Sequence, residues 1–104
     1  MKLEHYPSEK LKKEILASIA KHLSIENYRV FFFGSRVTGK NTERSDIDVG
    51  IEGPHAIPGH ILMDIQDDLS ELRMLYKIEV VDFAAVGEKF RSVVGSDREF
   101  ITVH

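Results

Sequence analysis

The sequence predicts a small α+β domain, a mixed β-sheet with helices packed mainly on one face. Three observations lead there. In three stretches apolar residues recur every three or four positions, and in three others they alternate or run together, so the chain switches between helical and strand periods. The order of those stretches is α-β-β-α-β-α with a short closing strand, which a small sheet backed by helices accommodates. The length of 104 residues suits one domain and is too short for two, so residues 1–104 read as a single unit.

Taken in order, Pro7-Ser8 marks a helix start, with Ser8 as cap and Glu9 in the first turn. Leu11, Ile15, Ile19 and Leu23 follow at four-residue spacing, with Leu16 and Ala20 widening the stripe and lysines on the wet side. Residues 28–33 form the first strand, apolar on both faces except for Arg29, and so central. A polar loop over residues 35–44, with a helical turn after Ser35, leads to a second strand over residues 46–51. Glycines and prolines between Glu52 and Gly59 make a loop. A second helix starts near Pro58 and lines up Ile61, Leu62, Ile65, Leu69 and Leu72. Residues 76–83 read as a third strand. Val86, Phe90, Val93 and Val94 mark a third helix that Gly95 ends. Residues 100–103 close the chain as an edge strand.

Composition removes several function classes. The formal net charge is −3, with acidic and basic residues mixed, so no basic footprint for nucleic acid exists. A polymerase or an RNA-tailing enzyme, which must neutralise many phosphates, is therefore disfavoured. The absence of cysteine excludes disulfides and thiolate zinc sites and fits a cytoplasmic setting. No apolar run approaches the length of a membrane span, and Met1 to His5 lacks the apolar core of a signal peptide.

The chemistry gathers between Phe31 and Ile51. The first strand runs into Gly34-Ser35. There glycine permits close backbone approach and positive φ, and serine adds a hydroxyl, so the turn offers donors to an anion. Ten residues on, Asp46 and Asp48 alternate with Ile47, Val49 and Ile51, so the two carboxylates share one strand face while the apolar residues point into a core. Like charges about 4 Å apart cost about 4 kcal/mol at an effective dielectric near 20. A bound divalent cation relieves that cost, and hard oxygen ligands suit Mg²⁺. A phosphate-cradling turn beside such a pair is equipment for phosphoryl or nucleotidyl transfer.

Gly34-Ser35-Arg36-x-x-Gly39 followed by Ser45-Asp46-Ile47-Asp48 resembles the signature of the DNA polymerase β-like nucleotidyltransferase superfamily, and the short chain is similar to its minimal nucleotidyltransferase (MNT) branch. That family carries a third carboxylate on a later strand, for which Lys77-Ile78-Glu79-Val80-Val81-Asp82-Phe83 supplies Asp82. The resemblance implies a nucleotidyltransferase fold and a catalytic, metal-binding trio of Asp46, Asp48 and Asp82 holding two Mg²⁺ ions when ATP or another nucleoside triphosphate is bound. It also implies phosphate contacts from Gly34, Ser35 and Arg36, with Ser45 assisting. Val37-Thr38 depart from the small residues usual in the turn, and the second helical domain of larger relatives is missing. MNT proteins pair with an all-helical HEPN-domain toxin and act as antitoxins by adenylylating one of its tyrosines. That implies a HEPN-type partner, AMP transfer and an oligomer of like or unlike chains, with no membrane role.

Each of these residues also has a structural reading. Asp46 and Asp48 can be solvated residues at a strand start, Ser35 a cap for the turn behind it, Arg36 a surface residue, and Asp82 the cap of the next helix. Asp64, Asp67, Asp68 and Glu71 read as the solvated face of the second helix, and the histidines as surface residues. The face that Asp82 shares with Ile78 and Val80 leaves those two apolar residues exposed on the cleft side, where chain or partner must cover them. Two other functions fit the same residues: nucleotidyl transfer to a small molecule, and a non-catalytic scaffold that neutralises a partner by binding.

Overall fold

The computed structural model describes residues 7–34, 37, 46–72, 77–94 and 97–102. Helix α1 (Ser8–Ala20) is followed by a 3₁₀ turn (Ile25–Asn27) and strand β1 (Arg29–Phe33). Strand β2 (Ile47–Glu52), helix α2 (Gly59–Ser70), strand β3 (Ile78–Asp82), helix α3 (Glu88–Val94) and strand β4 (Glu99–Phe100) complete the order. The four strands form one sheet in the order β3-β2-β1-β4. β1 runs antiparallel to both β2 and β4, whereas β2 and β3 are parallel and joined through α2. The α+β architecture is the expected one, closing edge strand included.

The apolar periods determine which side is covered. Leu11, Ile15 and Ile19 of α1 and Ile65 and Leu69 of α2 pack on Val30, Phe32, Ile47, Val49, Ile51 and Ile78, all buried. Residues of the opposite parity, Phe31 and Phe33, lie on the other sheet face with Phe83, Val81, Val86 and Val94. Two helices thus cover one face, and the short α3 covers only part of the other. Ile78 and Val80 belong to the helix-covered core, so the exposed apolar cleft expected from them does not exist. That expectation arose from assigning the functional side of β3 to the wrong parity.

Several local details differ from the sequence reading. α1 begins at Ser8 with Pro7 at the cap position and no side-chain cap, and Pro58 precedes α2 as its cap residue rather than entering its first turn. Asp68, expected on a solvated face, meets the ring of His22 at 2.7 Å and ties α2 to the end of α1. The β3 edge is closed by Gln66 of α2. Its amide donates to the Ile78 carbonyl at 2.7 Å, and its carbonyl accepts from the Val80 N–H at 2.9 Å. One side chain thereby satisfies two of the outward backbone groups that an edge strand otherwise presents to another chain.

Candidate functional site

The site is built where the end of β1, the start of β2 and the start of β3 lie side by side. Register places Phe33 opposite Asp48 on the antiparallel side and Glu79 opposite Asp48 on the parallel side. Ile47 and Val49 point into the helix-covered core, so Asp48 projects from the other face, and Asp46 precedes it by one strand period. Glu79 lies between Ile78 and Val80, both packed in that core, and therefore projects on the Asp48 side. Three acidic residues from two strands, Asp46, Asp48 and Glu79, are thus gathered on one face.

Burial and this crowding of charge both act on Asp48. Partial burial pushes its carboxyl above the usual value, and the charges of Asp46 and Glu79 push it further. Lys77, one strand period before Glu79, offsets part of that field. Its ammonium sits 2.8 Å from Glu79 Oε1, and its own pKa is raised by that hydrogen bond and by the charges of Glu79 and Asp46.

The glycine turn stands against the same carboxylates. Gly34 has φ +83°, the left-handed region that a side chain disfavours, and a Cβ built on it would collide with Asp48 Oδ2. Only glycine lets the β1 turn approach the β2 carboxylate this closely. Behind it the Val37 N–H donates to the Gly34 carbonyl at 3.1 Å, and the helical turn expected after Ser35 lies mostly outside the described residues. Ser35, Arg36 and Ser45 lie outside the described residues.

Asp82 does not join Asp46 and Asp48, which corrects its assignment as the third carboxylate. It pairs with Ile51, at the far end of β3, and its side chain has the parity of Ile78 and Val80. It is 5% exposed and fully engaged: the Ile57 N–H donates to Oδ2 at 2.7 Å and the Ala84 N–H to Oδ1 at 2.9 Å. Asp82 pins the loop before α2 to the turn after β3. Glu79 is the residue that sequence reading missed. Its signal was available in Ile78-Glu79-Val80, a lone acid between two core residues, but recognising it required knowing which parity of β3 shares the Asp48 face.

The donor set suits a hard divalent cation: three carboxylates, no nitrogen or sulfur, and a repulsion among them that a cation relieves. Among the described residues no three such side chains are already closed into a metal cage, and Glu79 is held by Lys77.

A four-stranded mixed sheet with acids on β2 and β3 beside a glycine turn is the arrangement expected of a nucleotidyltransferase fold. Residues 10–102 match the polymerase beta nucleotidyltransferase family, and the chain belongs to it. It is 29% identical over 86 residues to a Haemophilus influenzae chain named "Probable protein adenylyltransferase MntA", an alignment spanning 81% of this chain and 75% of that one. Its fold superposes with a TM-score of 0.71 on a crystal structure of a toxin–antitoxin with AMP-PNP, at 14% identity, covering 88% of this chain and 72% of that one. It also superposes with a TM-score of 0.67 on a complex of a tri-AMPylated Shewanella oneidensis HEPN toxin with its MNT antitoxin, at 12% identity, covering 90% and 71%. At those identities the structural matches establish the fold. No helix among the described residues is long and apolar enough to cross a membrane.

Proposed function

We propose that this chain transfers AMP from ATP to a hydroxyl of a protein acceptor, a HEPN-type toxin, and so acts as an antitoxin. The observation that carries the chemistry is the register that sets Asp48 beside Glu79 with the Gly34 backbone against it. The acceptor follows from the MntA relative, which is named as a protein adenylyltransferase, and from the similarity in fold to an MNT antitoxin bound to an AMPylated HEPN toxin.

Asp46, Asp48 and Glu79 would hold the divalent cations, Mg²⁺ by preference and two once nucleotide is bound. Bound cations offset the negative charge of the triphosphate and of the carboxylates together. Gly34, with Ser35 and Arg36 beyond it, receives the phosphate tail, and Ser45 flanks the carboxylate pair. In the reaction the acceptor oxygen bonds to the α-phosphorus as the bridge between α- and β-phosphates breaks. Pyrophosphate leaves, and the hydroxyl proton passes to solvent by way of the carboxylate cluster. Holding both reactants in line supplies roughly 7–11 kcal/mol of the barrier reduction, so a small domain suffices.

The test incubates the chain with ATP labelled at the α-phosphate, Mg²⁺ and a HEPN-domain protein. Wild type and Asp82→Asn transfer label to the partner, whereas Asp48→Ala and Glu79→Gln do not. Neutralisation of the partner by Asp48→Ala as effectively as by wild type, with no label moved, would instead establish the scaffold.

A further inference from the structure

One aromatic side chain next to the acidic face is neither core nor ordinary surface. Phe90 of α3 is 41% exposed, yet its ring makes T-shaped contacts with two buried rings, Phe33 with centroids 6.0 Å apart and Phe83 at 5.6 Å. Phe33 and Phe83 in turn contact each other at 5.1 Å. The helix that carries Phe90 is moored by the neighbouring Arg91, whose guanidinium donates to the Phe83 carbonyl. Phe33 is the register neighbour of Asp48 and the last residue before the Gly34 turn. The part-exposed ring thus touches the residue that pairs with Asp48, and Phe33 and Asp48, as opposed strand partners, share one sheet face.

We propose that Phe90 is the stacking platform for the base of the nucleotide whose phosphates lie at Gly34 and Asp48. This rests on the nucleotidyl-transfer reading above. A part-exposed aromatic ring on the same sheet face as an acidic, anion-binding site suits a ligand with a charged tail and a planar ring, and a nucleoside triphosphate has both. Stacking favours a purine by contact area and reads no hydrogen-bonding edge, so Phe90 supplies affinity for the base and positions the α-phosphate rather than distinguishing adenine from guanine. A protein partner seated on Phe90 is the competing occupant.

Calorimetry of the full chain in Mg²⁺ with ATP and with inorganic tripolyphosphate separates these cases. Phe90→Leu keeps the apolar contact with Phe33 and Phe83 but removes the ring, and Phe90→Trp enlarges it. The expected result is a loss of about tenfold or more in ATP affinity for Phe90→Leu. Tripolyphosphate affinity stays unchanged, and Phe90→Trp binds ATP at least as tightly as wild type. A 2-aminopurine riboside triphosphate should be quenched on binding wild type and less so on binding Phe90→Leu. Equal ATP affinity in wild type and Phe90→Leu overturns the proposal and favours a protein occupant. A parallel loss of tripolyphosphate binding overturns it too, since the ring would then support only the fold. Should Phe90→Leu not fold, weaker ATP binding by Phe90→Trp overturns it. Failure of wild type to bind either ligand sinks the nucleotide reading itself, and the stacking role with it.

Discussion

At the scale of single residues, two aspartates of similar sequence context have opposite jobs. Asp48 is costly in the metal-free fold, because burial and two neighbouring acids oppose its charge. Its neutral form is favoured in the folded state, so its stabilising contribution is complete below the unfolded-state value near 3.8 and is lost as pH rises through the raised folded-state pKa. Without metal, Asp48→Asn should therefore melt higher than wild type at neutral pH, and the difference should close on acidification. Thermal melts in EDTA across pH 4 to 8 read both. Asp82 is the reverse: its carboxylate satisfies two backbone N–H groups. Asp82→Ala leaves both without that partner and should cost about 2–4 kcal/mol in urea unfolding, with Asp82→Asn costing less. Gly34→Ala forces a side chain into a positive-φ position and against Asp48, so it should lose nucleotidyl transfer and destabilise the chain by at least about 1–2 kcal/mol.

At the scale of elements, the β3 edge of the sheet depends on one side chain. Among the described residues no strand lies beyond β3, and α2 covers part of that edge through the two hydrogen bonds of Gln66. Gln66→Leu preserves the helix but orphans both backbone groups. It should cost about 1–3 kcal/mol and raise self-association, measured by sedimentation, as the bared edge pairs with another copy. Because β3 carries Glu79, loosening it should also weaken metal binding. α3 closes part of the other face with a cluster of phenylalanines, and Gly50 makes room for it. A Cβ there would strike the Phe31 and Phe83 rings.

At the scale of the whole molecule, folding brings like charges together, a conflict that a bound cation would relieve. Mg²⁺ or Mn²⁺ should raise the melting temperature of the free chain, by the equivalent of about 2.7 kcal/mol at a hundredfold excess over the dissociation constant. Asp46→Asn and Glu79→Gln should blunt that rise, whereas a change at Asp82 should lower the baseline and leave the rise intact. Differential scanning calorimetry with and without metal distinguishes the two patterns.

Much of this protein is written locally. The helical stripes of α1 and α2, the continuous apolar run of β1 and the alternation of β2 each follow from spacing within a few residues, because burial of one face imposes its period on the chain. The Gly34 turn and the Asp46–Asp48 pair were legible for the same reason: turn geometry and same-face alternation are local properties. The third acid was not. Glu79 and Asp82 lie on one strand with opposite parity, and each is flanked by apolar residues. Which of them faces Asp48 depends on the parallel register of β3 against β2 and on which face α1 and α2 cover. Those are long-range choices made by packing, and a one-residue difference in parity exchanges an acid on the Asp48 face for a buried anchor.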